Sequence, residues 1–203
     1  MKIFSSLFFS LLFVNAFSQI NRKDFTQFVN PFIGTASKDT NSLSGSVFPG
    51  ACMPFGMVQL SPDNYDAPED PASAYNYKEK TIVGFSHTHL NGTGVGDLYD
   101  VLVQPIAGTV LWQPGDAAKP RSGYRSVFSH TTEKASPGYY AVQLDDYNIK
   151  VELTATEHVG FHKYNFPKTD SAYVLFDLDH TLDKKRPYWA CKVVAAHIKQ
   201  VDK

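Results

Sequence analysis

Apolar residues recur along the chain in short runs bounded by Pro, Gly, Asn or Asp, and the period within the clearest runs is two. From Ile149 to Thr156, the residues Ile149, Val151, Leu153 and Ala155 alternate with Lys150, Glu152, Thr154 and Thr156. Successive side chains of a strand point to opposite faces, so this run predicts a strand with one dry and one wet side. Gly160 to Phe166 alternates again, whereas Ala172 to Leu178 is continuously apolar and is expected to be buried on both faces. Phe28 to Ile33, Phe55 to Leu60, Thr81 to His89 and Asp100 to Ile106 complete the set of expected strands. Many short strands at this spacing predict an all-β fold, an antiparallel sandwich of two packed sheets. Trp189 to Val201 fits a helix or a strand, and periodicity alone leaves it open.

Residues 1–18 are set apart from this pattern. Lys2 precedes an apolar stretch from Ile3 to Phe13, and Ala16-Phe17-Ser18 supplies small residues at the cleavage positions, as in a secretory leader. The stretch is too short for a stable span, and no longer one follows, so a protein exported to the periplasm or medium is expected, with no membrane span. Residues 19–203 then form one domain, enough for one sizeable core. A formal net charge of −1, from 19 basic and 20 acidic residues without clustering, gives no reason to expect a nucleic-acid partner. Cys52 and Cys191 are too few for a disulfide framework, and their redox state stays open.

Two loops stand out by composition. Ser61 to Ala74, with three prolines and four acids, reads as a solvated excursion, and it lacks the glycine and glutamate placement of an EF-hand. Lys38 to Gly50 reads as a loop pinned at its end by Phe48-Pro49-Gly50.

Candidate chemistry concentrates in Gly84 to Asp97, GFSHTHLNGTGVGD. On a continuous strand His87 and His89 share a face, which places two imidazoles side by side ahead of a glycine-rich turn and Asp97. Imidazole and carboxylate suit a transition ion, but no third ligand is fixed by spacing, so the metal reading is weak. A phosphate loop at GTGVG requires a helix next, and DLYDVLVQPIAG reads as a strand. Tyr173 to Asp183, YVLFDLDHTLD, looks like the opening motif of haloacid-dehalogenase-type phosphatases, with Asp177 as nucleophile and Asp179 as acid/base. That fold needs several βα units after the motif, and the pattern upstream is β throughout.

Five blocks taken together are more specific than any of these motifs. FVNPFIGT (Phe28 to Thr35), VFPGACMPFGMVQLSPD (Val47 to Asp63), IVGFSHTHLNGTGVGDLYDVLVQP (Ile82 to Pro105), Glu133 to Pro167 and FDLDHTL (Phe176 to Leu182) resemble the amino-terminal domain of glycoside hydrolase family 92. The family comprises exo-acting, calcium-dependent, inverting α-mannosidases. The resemblance implies a β-sandwich followed by a helical (α/α) barrel that holds the acid and base carboxylates and most calcium ligands. On that reading the chain stops before the barrel and lacks the last strands of the sandwich. No catalytic residue and no metal ligand is then expected within it, and calcium belongs to the parent enzyme.

The partners so implied are a mannose-containing glycan and the missing barrel. His87 and His89 are the expected contacts to sugar hydroxyls or to the interdomain surface, with Asp97 orienting them and Phe48 shaping the pocket. The alternative is a stand-alone carbohydrate-binding module, which a sandwich equally allows.

Overall fold

The structure, a computed structural model, describes residues 23–36, 46–64, 73–92, 98–180, 193–199 and 201. The expected leader and Asp97 lie outside the described residues, and 193–199 form neither helix nor strand. After a 3-10 turn at Thr26–Phe28 come strands β1 (Ala51–Cys52), β2 (Gln59–Asp63), β3 (Thr81–Ile82), β4 (Gly84–Ser86), β5 (Leu102–Ala107) and β6 (Ser126–Val127). Then follow β7 (Lys134–Ser136), β8 (Tyr139–Leu144), β9 (Ile149–Ala155), β10 (Gly160–Asn165) and β11 (Ala172–Asp177). All pairs are antiparallel, in sheets ordered β1-β2-β4-β5-β11, β10-β9-β8-β7 and β3-β6. The all-β antiparallel sandwich expected from the pattern is the fold observed.

Its core forms where the two larger sheets face each other. Leu60 and Phe85 come from one sheet and Tyr140, Val142, Leu144, Ile149, Val151 and Leu153 from the other, all buried. Burying a side chain of this size contributes roughly 1.5–3 kcal/mol, so this layer dominates stability. Strand β9 buries alternate residues as its pattern requires. On β10, His162 lies opposite Leu153 and Tyr164 opposite Val151, so both polar side chains stand on the core side of the sheet.

Several expectations are corrected. Phe28 to Ile33 is turn rather than strand, because short polar side chains bond the local backbone. Asp24 accepts from the Thr26 amide at 2.9 Å, and Asn30 accepts from the Phe32 amide at 3.0 Å. The run from Phe55 begins with a reverse turn, closed by the Gly56 amide on the Met53 carbonyl at 3.0 Å, and the strand starts only at Gln59. Thr81 to His89 is not one strand: the chain changes sheets at Val83, whose amide bonds the Asp63 carbonyl at 2.8 Å. Ser61 to Asp63 belongs to β2 and is fully buried, as is Asn64, so the start of the supposed solvated loop is interior. Finally, β11 is not buried on both faces. It is an outer strand paired with β5, leaving Tyr173, Val174 and Phe176 about half exposed.

Candidate functional site

Strand β4 ends at Ser86, and the two histidines beyond it take separate partners. The backbone of His87 still bridges its neighbours, its carbonyl accepting from the Gln59 amide at 2.9 Å and its amide donating to the Asp100 carbonyl at 3.0 Å. Two residues later the His89 amide donates to the side-chain oxygen of Gln59 at 3.1 Å, and the ring turns into the interior, 1% exposed.

Hydrogen-bond geometry fixes the state of the His89 ring. Its Nδ1 lies 2.6 Å from the Gln59 carbonyl, which can only accept, so Nδ1 carries hydrogen. Its Nε2 lies 2.7 Å from Oδ1 of Asp63, a carboxylate with no exposed surface. Burial pushes the Asp63 carboxyl up, but the charge of His89 and the hydrogen bonds from His180 and His89 outweigh it and hold the group below the ordinary carboxylate range. An ionised Asp63 accepts only, so Nε2 of His89 also donates, and the pair is imidazolium and carboxylate. Ser86 Oγ donates to the same Oδ1 at 3.0 Å, and Nε2 of His180 donates to Oδ2 at 2.8 Å. Both oxygens of this buried carboxylate are therefore satisfied, the condition under which such a pair is tolerated.

Serine, histidine and aspartate meet here without forming a hydrolase triad. Both Ser86 and Asp63 approach Nε2, whereas a relay needs them on opposite ring nitrogens. The cluster is a clasp joining β2, β4 and the turn after β11. His180 reaches it because Asp177 organises that turn: Oδ1 accepts the Asp179 amide at 3.0 Å and Oδ2 accepts the Tyr124 hydroxyl at 2.5 Å. Asp177 thus ends an outer antiparallel strand and is spent on structure, which overturns the phosphatase reading of Asp177 and Asp179.

Phe48 rests on this clasp from the half-buried segment before β1, its ring centroid 5.2 Å from that of His89. The approach depends on Gly50, where a Cβ would meet the Leu60 carbonyl oxygen at 2.2 Å. On the far side Tyr99 meets the His89 ring edge-on at 5.9 Å. Leu98, Tyr99 and Val101 all have positive φ, at 77°, 65° and 55°, so the return segment is held in a strained conformation. Thr88 holds it: its hydroxyl donates to the Asp100 carboxylate at 2.9 Å and accepts the Asp100 amide at 3.0 Å.

His87 is half-buried and faces the other sheet. Its Nδ1 donates to the Val101 carbonyl at 2.8 Å, and its Nε2 lies 3.1 Å from Nε2 of His162 on β10. The expected side-by-side pair of His87 and His89 is therefore replaced by two separate networks. Of the four residues singled out in the sequence, the structure brings together Phe48 and His89 and places His87 in another cluster. Reading the sequence missed Asp63, Gln59, His162 and His180. Asp63 lay within Ser61 to Ala74, the segment expected to be a solvated loop.

Among the described residues no group of three or more His, Cys, Asp or Glu side chains is gathered to hold an ion. Calcium takes six to eight oxygens, and the carboxylates Asp63 and Asp177 are already committed to donors within the domain.

The described residues form an antiparallel β-sandwich whose two larger sheets enclose the core and whose β2, β4 and post-β11 turn are joined by a buried His–Asp clasp. The model of the glycosyl hydrolase family 92 N-terminal domain matches residues 28–203, and the chain belongs to that family. The α-mannosidase BT3965 of Bacteroides thetaiotaomicron, solved in complex with mannoimidazole, is 45% identical with a TM-score of 0.73, covering 78% of this chain and 20% of that one. The inverting mannosidase BT2199 of the same organism is 27% identical with a TM-score of 0.61, covering 76% of this chain and 19% of its own. A protein of Arthroderma benhamiae described as an uncharacterized secreted glycosidase is 28% identical over 176 residues, 80% of this chain and 21% of that protein. The chain thus spans about a fifth of the length of these relatives. No helix among the described residues is long and apolar enough to cross a membrane.

Proposed function

We propose that this chain is the accessory sandwich of an exported α-mannosidase that removes terminal mannose from glycans by inversion, and that it supplies one wall of the sugar pocket and the seam with the catalytic portion. The observation that carries the reading is the clasp itself. A buried ion pair costs desolvation and is weak evidence for stability alone, but it fixes a segment in one arrangement. Here it sets the GFSHTHL turn beneath the half-buried Phe48 and the strained 98–101 segment. Strain of that kind is retained where the chain must present a shaped surface.

Phe48 is the residue of this wall for contact with sugar or partner domain, Asp97 is expected to contribute from the segment that follows, and His87 and His89, whose ring nitrogens are engaged within the domain, act from inside as positioning residues. Calcium, and the carboxyl pair that inversion requires, belong to the catalytic portion, the helical barrel implied by the family resemblance. The test is substitution in a full-length enzyme carrying this domain. Phe48→Ala is expected to raise KM severalfold at a melting temperature close to that of the parent, whereas His89→Ala should lower the melting temperature. Unchanged kinetics in both variants would remove the pocket-wall reading and leave a purely structural domain.

A further inference from the structure

His87 and His162 lie 75 positions apart in sequence, yet their Nε2 atoms are 3.1 Å apart, with ring centroids at 4.9 Å and planes inclined by 40°. Each remaining nitrogen is held by oxygen. The Val101 carbonyl takes Nδ1–H of His87 at 2.8 Å, and the Tyr164 hydroxyl lies 2.6 Å from Nδ1 of His162. Metal-ligating histidines have this form, one nitrogen facing the ion and the other fixed in orientation by a carbonyl or similar partner. The sheet leaves room for the arrangement: at Gly160 on β10 an added Cβ would come within 2.9 Å of Cδ2 of His87. Two ring nitrogens this close cannot both carry hydrogen, so at least one of the facing Nε2 atoms presents a lone pair.

We propose that His87 and His162 together form a two-imidazole site for a borderline divalent cation of the zinc, copper or nickel class, bridging β10 to the end of β4. Imidazole nitrogen selects these ions over calcium or magnesium, which prefer oxygen. In the ion-free state a single chain of donors satisfies the cluster, running from the Tyr164 hydroxyl through His162 and His87 to Val101. Binding needs the proton on His162 to move from Nε2 to Nδ1, with the Tyr164 oxygen then accepting. The rings need only separate slightly for both nitrogens to reach an ion at about 2.0–2.1 Å. Water or a partner group completes the coordination, since the protein offers two ligands. This site is distinct from the His-x-His chelate suggested by spacing, because both nitrogens of His89 are already committed to Gln59 and Asp63.

The test titrates the chelator-stripped chain with zinc chloride by calorimetry, and with copper(II) followed by electron paramagnetic resonance. One equivalent of zinc per chain is expected, and the copper spectrum should show coupling to two nitrogens. His87→Gln and His162→Gln should each weaken zinc binding at least tenfold. Tyr164→Phe should weaken it about tenfold through the lost orienting partner. His158→Gln, at an exposed position in the preceding turn, should leave binding unchanged. Should a core variant fail to fold, nitrogen chemical shifts of His87 and His162 in the unmodified chain give the same answer, since zinc should move both. Absence of stoichiometric binding, or binding that leaves those two rings unaffected, overturns the proposal.

Discussion

A histidine on the dry side of a strand remains there only if it stays uncharged, and His162 illustrates the cost. The unfolded ring titrates near 6.5 and the folded ring near 4. Above pH 6.5 both states are neutral and the folded protein loses nothing. Between those values the unfolded chain binds a proton that the folded chain refuses, so stability falls as pH falls through that window. With 1.36 kcal/mol per unit, the full loss is about 3 kcal/mol by the time the folded ring itself titrates. Urea unfolding of the metal-free protein from pH 7.5 to 4 should show this decline, and His162→Gln should flatten it. Asp63 acts in a separate and lower window. Its depressed carboxyl contributes stability that is present above the ordinary carboxylate value and is lost only as pH drops through its lower folded value.

At the scale of elements, what could be read in advance depended on whether the governing contact was local. β9 was legible because alternation is a property of consecutive residues, and its burial follows that alternation. The end of β4 was not, because Ser86 and His89 answer to Asp63, which is 26 positions from His89 and itself looked like loop. The short strands β1, β6 and β7 carry too few residues for any period to show. β11 was recognised as a strand but placed wrongly, since a continuous apolar run states that a strand should be covered without stating by what. Exposed Tyr173, Val174 and Phe176 on an outer strand form the kind of edge that invites pairing with another chain. The isolated chain is therefore expected to self-associate at high concentration. Val174→Lys should restore a monomer, because a charge on the edge strand opposes edge-to-edge pairing; light scattering after size exclusion would measure it, and an unchanged mass distribution would place the association elsewhere.

The whole molecule bears on catalysis through what its carboxylates are already doing. Inverting glycoside hydrolysis needs one protonated carboxyl and one free carboxylate about 6.5–9.5 Å apart, with water between the base and the sugar. Asp63 is enclosed by His89, Ser86 and His180. Glu133 is buried and bonded by the hydroxyls of Tyr75 and Tyr140 and by His130, at 2.9, 2.6 and 2.6 Å. Asp177 serves Tyr124 and its own turn. Glu152, on the wet face of β9, is pulled down to about 2 by hydrogen bonds from Tyr139 and Lys163, the wrong direction for a general acid. Each of these four groups is stabilised as an anion or tied to donors it cannot release without breaking the fold, so none is free to protonate a glycosidic oxygen. The purified chain is accordingly expected to release no mannose from an α-linked mannobioside above the buffer control, while a full-length family member under the same conditions turns it over. Hydrolysis by the 203-residue chain that persists in Asp63→Asn would show that an acid and base act without the buried Asp63 carboxylate and would overturn this expectation.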